Sequence, residues 1–133
     1  MNDATKKPIV LAVDDDPTIL NTLLSVLREI CDVRPITSAA AALRYLEKFS
    51  ADAVLLDCHM PETDGFGMLR LLKSNARTAD IPVLFLSGVE DEETEARARR
   101  EGAADFIRKP VDPKVLAEKV ARYLKHSPSG CGA

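Results

Sequence analysis

Short unbroken apolar runs alternate along the chain with longer amphipathic stretches. The runs are Ile9-Val10-Leu11-Ala12-Val13, Ala53-Val54-Leu55-Leu56 and Val83-Leu84-Phe85-Leu86. Continuous apolar runs of this length suit strands of a parallel sheet covered on both faces. Val33 to Thr37 and Asp105 to Arg108 are weaker strand candidates. Pro35 lies inside the first of these and assigns it to an edge, because proline cannot donate to the ladder.

Helical periodicity fills the intervals. Leu20, Leu23, Leu24, Leu27 and Ile30 recur at helical spacing behind Asp16-Pro17, a cap followed by a first-turn proline. Ser38 is placed to cap a helix carrying Leu43, Leu46 and Phe49, and Phe66 to Lys73 forms a short one-sided helix. Glu90 to Glu101 begins acidic, ends rich in arginine and stops at Gly102, the order that suits the helix dipole. Glu93/Arg97 and Glu95/Arg99 are its i,i+4 pairs. Asp112-Pro113 opens a last helix with Leu116, Val120 and Leu124 on its core face, and Val111 and Leu116 stand at the positions of a hydrophobic staple. Strands alternating with helices predict an α/β doubly wound parallel sheet of five strands and five helices, with right-handed crossovers.

Composition narrows the classes. The chain has 133 residues, 46% hydrophobic and 29% charged, which is one globular domain able to bury a core without staples. A net charge of −3 supplies no basic balance for nucleic acid. No apolar run approaches the roughly 20 residues of a membrane span. Cys31, Cys58 and Cys131 are odd in number and scattered, which argues against a disulfide framework or zinc site and for a reducing, cytoplasmic setting. Residues 1–7 read as a polar tail, 8–126 as the domain, and 127–133 as a flexible tail or truncated linker.

Ligands of open α/β sheets bind beyond the carboxyl ends of the strands. Strand one ends in Asp14-Asp15-Asp16, strand three in Asp57, strand four in Ser87-Gly88 and strand five in Lys109-Pro110. The predicted sheet therefore gathers carboxylates, a hydroxyl and an ammonium on one rim. Clustered carboxylates repel one another unless a cation offsets them, and Mg²⁺ suits an all-oxygen site that keeps room for phosphate. A carboxylate beside a metal, a lysine and a hydroxyl can accept a phosphoryl group. Asp16, followed by Pro17, reads as a helix cap.

Val13-Asp14-Asp15-Asp16-Pro17, Asp57-Cys58-His59-Met60-Pro61-Glu62-Thr63-Asp64-Gly65, Ser87 and Lys109-Pro110 together resemble the receiver domain of two-component response regulators. The resemblance covers about residues 8–126, and its specificity lies in the combination, in order and at strand ends. It implies a flavodoxin-like sandwich with sheet order 2-1-3-4-5. It implies that Asp57 is the phosphoacceptor and that Asp14 and Asp15 hold Mg²⁺ (or Mn²⁺) together with Asp57 and the backbone carbonyl of His59. It implies that Lys109 pairs with the phosphoryl group, that Ser87 and Phe106 form the switch, and that the Lys109–Pro110 bond is cis. The implied partners are a sensor histidine kinase or phosphotransfer protein upstream and an effector protein or missing output domain downstream, with a homodimer as an option. No direct nucleic-acid or membrane contact is implied. Ser87 stands where threonine is commoner and Phe106 where tyrosine is. His59 and Val89 occupy variable positions that tune attack by water, which leaves the dephosphorylation rate open.

Two other readings stay beside this one. Asp14-Asp15-Asp16-Pro17-Thr18 also fits the D-x-D-x-T motif of haloacid dehalogenase-like phosphatases, with Asp14 as nucleophile and Asp16 as acid/base. That family's further acidic pair would have to come from Asp112 and Glu118, and the Asp57 to Gly65 run would be left without a role. A phosphorylation-independent docking module is the other, opposed by the intact set of acids and lysine.

Overall fold

The computed structural model describes residues 7–58, 60, 65–88 and 92–125. His59 and Val89 lie outside the described residues, as do both outer tails. The elements run β1 (Ile9–Val13), α1 (Pro17–Leu27), β2 (Asp32–Ile36), α2 (Ala39–Lys48), β3 (Ala53–Asp57), α3 (Gly65–Ser74), β4 (Val83–Ser87), α4 (Glu92–Arg100), β5 (Asp105–Arg108) and α5 (Pro113–Lys125). The strands form one parallel sheet in the order β2-β1-β3-β4-β5. The expected doubly wound α/β fold is what the chain adopts, and the Pro35 strand is an edge.

Strand alternation splits the core in two. Leu11, Val13, Val54, Leu56, Val83, Phe85 and Phe106 pack on one side, against α2, α3 and α4. Val10, Ala12, Ala53, Leu55, Leu84, Leu86 and Ile107 pack on the other, against α1 and α5. Both sets are buried, which is why the strands read as unbroken apolar runs. On the first side Phe66 meets Phe85 edge-on, with centroids 5.0 Å apart.

The caps fall where the sequence put them. The Thr18 N–H donates to Asp16 Oδ1 at 2.9 Å, and the Ala41 N–H donates to Ser38 Oγ at 3.1 Å. The Lys114 N–H donates to Asp112 Oδ1 at 2.9 Å, and Val111 and Leu116 share the α1/α5-side core. Gly102 ends the α4 segment with φ +108°, a left-handed conformation that a Cβ would strain.

Two apolar positions differ from expectation. Helix α1 stops at Leu27, so Ile30 lies outside the helix and is 37% exposed. The Ile30 and Cys31 N–H groups both donate to Leu27 O, and this tight turn delivers the Asp32 N–H to Pro8 O at the start of β2. Cys31, not Ile30, fills the buried place. Phe49 likewise lies outside its helix, since α2 ends at Lys48. It is the extended C-cap residue, 57% exposed, with its ring 5.0 Å from that of Tyr45. Leaving the helical path turns it off the stripe that buries Ala42 and Leu46. In α4 the Glu95–Arg99 pair closes at 3.2 Å, while Arg97 binds Glu101 at 2.8 Å and lies 3.9 Å over the Phe66 ring.

Candidate functional site

Asp14 continues β1 by one residue, and its N–H still donates to Ile36 O across the ladder. The same rim carries Asp57 at the end of β3. Both are buried, at 0% and 5% exposure. The Lys109 ammonium reaches them from beyond β5, 2.9 Å from Asp14 Oδ2 and 3.7 Å from Asp57 Oδ1. Asp15 is exposed at the rim, yet one oxygen of each of Asp14, Asp15 and Asp57 lies within 4.8 Å of the others. The Lys109–Pro110 peptide is cis.

Burial works against the charge on Lys109. The hydrogen bond to Asp14 and the charges of Asp57, Asp14 and Asp16 outweigh that penalty and hold its pKa above the ordinary ammonium value. The ammonium therefore stays charged between two buried carboxylates and offsets their mutual repulsion. Three carboxylates offering only oxygen donors, with one exposed to solvent, suit a hard divalent ion that keeps several waters.

Asp16 is not part of this cluster's chemistry. Its carboxylate accepts from Thr18 N as the α1 cap, and its own N–H donates to Asp14 Oδ1 at 2.9 Å. The acid/base role required by the phosphatase reading falls to a group already engaged in holding a helix.

Ser87 and Phe106 sit on the other side of the sheet. The β3–β4 register pairs Asp57 with Leu86, so alternation groups Ser87 with Phe85 and groups Asp57 with Leu55. Ser87 is fully buried, and Phe106 is 3% exposed in the core beside α3 and α4. The rim thus brings Asp14, Asp15, Asp57 and Lys109 together, while Ser87 borders it from the opposite face.

The chain after Asp57 is held by close packing. A Cβ on Gly65 would lie 2.7 Å from Cys58 Cα and 2.9 Å from Asp57 O, so only glycine lets α3 start against the end of β3. The close approach of two backbones is what requires glycine here. Met60 is buried in the core beside it.

One polar cluster was not anticipated. Asp105 opens β5 at 4% exposure and accepts from its neighbour's Phe106 N–H at 2.8 Å. Lys119 lies 3.1 Å away, and the Tyr123 hydroxyl donates to Oδ2 at 3.1 Å. Arg99 of α4 approaches at 3.4 Å. Lys119 and Tyr123 are spaced i,i+4 on α5, the one sequence signal that could have drawn attention to them. This cluster ties α4 and α5 to β5.

Comparison with known proteins agrees with this geometry. Residues 10–121 match the response regulator receiver domain family. The chain belongs to that family. It is 36% identical over 116 residues to the heme response regulator HssR of Staphylococcus aureus (strain JH9), which covers 86% of this chain and 50% of that protein. It is 30% identical over 122 residues to the DNA-binding dual master transcriptional regulator RpaA of Synechocystis, covering 90% of this chain and 50% of RpaA. The receiver domain of NtrX from Brucella abortus superposes with a TM-score of 0.82 at 30% identity, covering 89% of this chain and 99% of that one. This chain thus spans half the length of these two curated relatives. A receiver is a signalling domain of two-component systems; the sheet order is that of the receiver fold, and the rim carries an acidic cluster that could hold a metal. No helix among the described residues is long and apolar enough to cross a membrane.

Proposed function

We propose that this receiver takes a phosphoryl group onto Asp57 from the phosphohistidine of a sensor kinase or phosphotransfer protein. The observation that carries this reading is the Lys109 ammonium held between Asp14 and Asp57 at 2.9 and 3.7 Å. A bond forms between an Asp57 carboxylate oxygen and phosphorus as the donor's P–N bond breaks, and the donor histidine leaves neutral after taking a proton. Lys109 stands where it can swing from its carboxylates to the incoming phosphoryl oxygens, offsetting charge as it develops. Asp14 and Asp15 would hold a divalent ion, Mg²⁺ or Mn²⁺, with Asp57, and the His59 carbonyl is assigned to the same shell. Such an ion neutralises the phosphoryl oxygens and screens the carboxylates from one another.

Ser87 and Phe106 are the residues we assign to the response. With the hydroxyl drawn toward the phosphorylated rim, the side of the sheet that holds Phe106 and α4 repacks, and the face of α4, β5 and α5 changes its affinity for an effector or an attached output domain. That is a local change of charge biasing a two-state element. The bounds we assign to the receiver are 8–126, with flanking tails at 1–7 and 127–133. We place it in the cytoplasm, where the two described thiols, Cys31 and Cys58, stay reduced.

Intact mass after incubation with Mg²⁺ and acetyl phosphate tests the reading. The wild type should gain one phosphoryl group, and Asp57→Asn or prior chelation of the metal should prevent it. An equal adduct on Asp57→Asn rejects Asp57 as acceptor. Hydrolysis of a phosphate ester that is lost in Asp14→Asn and kept in Asp57→Asn would favour the phosphatase instead.

A further inference from the structure

The sheet has two outer strands, β2 and β5, and an outer strand presents main-chain groups with which a further strand could pair. In a parallel ladder successive residues turn their N–H and C=O alternately to one side and the other. The Lys109 N–H donates to Ser87 O at 2.8 Å, so Lys109 and Ile107 face β4, while Phe106 and Arg108 face outward. Both outward groups of Phe106 are taken by side chains. Its N–H donates to Asp105 Oδ1 at 2.8 Å, and its carbonyl accepts from Lys119 Nζ at 2.8 Å. Lys119 donates to Asp105 Oδ1 as well, at 3.1 Å. The Tyr123 hydroxyl lies 2.8 Å from the Ala104 carbonyl and 3.1 Å from Asp105 Oδ2, and shares its one proton between them. Arg99 and Arg122 approach the same carboxylate at 3.4 and 3.8 Å. The other edge is closed by a different means. The Asp32 N–H donates to Pro8 O, and Ile36 O accepts from the Asp14 N–H. Both residues therefore face β1, as does Arg34 between them, and Val33 and Pro35 face outward. Pro35 is exposed and has no N–H, so the β1–β2 ladder loses nothing and the outer edge lacks a donor.

We propose that both edges of this sheet are closed against the sheet of a second copy of this chain, β5 by the side chains of Asp105, Lys119 and Tyr123 and β2 by Pro35. Two copies related by a twofold axis would set β5 antiparallel to β5 or β2 antiparallel to β2, and such a pairing needs the outward groups of each strand. At β5 those groups are already bonded, and a second strand would have to displace a lysine that also serves a buried carboxylate. At β2 the donor is missing outright. The Phe106 ring packs in the core, so the cap holds the main chain of that residue and leaves its ring to the core. Contacts with other proteins are thereby confined to side chains on the helices and loops. The proposal is independent of the role of Asp57.

The experiment follows self-association of the full chain by sedimentation velocity over a concentration series, and locates it by amide hydrogen exchange. Lys119→Met with Tyr123→Phe keeps the apolar stem and ring and removes both donors. This double variant should self-associate about tenfold more tightly than wild type, the order expected for two or three main-chain hydrogen bonds gained. The outward Phe106 and Arg108 amides should become more protected as concentration rises. Lys119→Arg with Tyr123 intact keeps a donor and should behave as wild type. Pro35→Val restores a donor at the other edge without touching the cluster, and should raise association with protection at Val33 and at the substituted residue. Urea unfolding shows which variants are folded. A folded double variant that associates no more than wild type overturns the cap at β5, as does association that leaves the Phe106 and Arg108 amides unprotected or that Lys119→Arg reproduces. If the double variant does not fold, Pro35→Val decides: association unchanged from wild type overturns the proposal.

Discussion

Lys109 Nζ lies 2.9 Å from Asp14 Oδ2, although 95 residues separate them in the chain. Asp14 follows β1 and Lys109 follows β5, and β3 and β4 stand between those strands. The ammonium crosses that width to reach a carboxylate with no exposure, and it passes 3.7 Å from Asp57 on the way. The resting site is therefore held together by the same cation that phosphoryl transfer would redirect.

Lys109→Met should reveal that double duty. Losing a hydrogen bond between charged groups costs about 1.5–3 kcal/mol, and here it also leaves two buried carboxylates facing each other. Urea unfolding without metal should show a drop of that order. Added Mg²⁺ should recover more stability in the variant than in wild type, because the cation then takes over the neutralising role. An equal Mg²⁺ response in both proteins would argue that the lysine does not shield the cluster.

Gly65 and Gly67 make a paired test. At Gly65 a Cβ meets backbone of Cys58 and Asp57 at 2.7 and 2.9 Å, whereas at Gly67 nothing lies within 4 Å. Gly65→Ala should cost about 1–3 kcal/mol and weaken Mg²⁺ binding by shifting Asp57. Gly67→Ala should be neutral or stabilising by up to about 1 kcal/mol, since it only improves helix propensity. Thermal unfolding and Mg²⁺ titration of the two variants check this.

Asp105 predicts a pH dependence. Burial pushes its pKa upward, but the Phe106 N–H, Lys119 and the Tyr123 hydroxyl outweigh that, and the net shift is below the ordinary value of 3.8. A carboxyl depressed in the folded state contributes stability that is full above the unfolded pKa and is lost as pH falls through the folded one. Wild-type stability should therefore fall below about pH 4, and part of that slope should vanish in Asp105→Asn. The variant should also be less stable at pH 7, with Lys119 left facing a neutral amide. Chemical unfolding across pH 2.5–7 reads both effects.

The cysteines should be slow to react. Burial, followed by the charge of Asp32, pushes the Cys31 thiol up to about 11. Burial also raises the Cys58 thiol, outweighing the neighbouring groups that act to lower it. With little thiolate and no access, neither should be alkylated by iodoacetamide at pH 8 in the native protein, and both should be modified in urea. Peptide mass mapping distinguishes them from Cys131.

The fold was legible in the chain because each level agreed with the next. Three short apolar runs, two weaker strand candidates, the Asp16, Ser38 and Asp112 caps and the Gly102 stop mark the strands and helices to within a residue or two. The rim was legible for a related reason. In a parallel sheet every strand points the same way, so the residue after each apolar run lands on the same edge, and Asp14, Asp57 and Lys109 could be grouped without knowing strand order. Only tertiary structure decided the remainder. Which face a strand-end residue takes depends on register, so the placement of Ser87 with Cys58 and away from Asp57 was invisible until β3 and β4 were paired. Ile30 and Phe49 carry the right period for burial, but each helix stops before reaching them and the chain turns elsewhere. Asp105 reads as a strand's first residue, and becomes a buried ionic centre only when α4 and α5 bring Arg99, Lys119 and Tyr123 to it. Periodicity and punctuation are local and can be read from the chain. Register, close backbone approach and charge pairing depend on segments far apart in sequence, and packing alone brings those together.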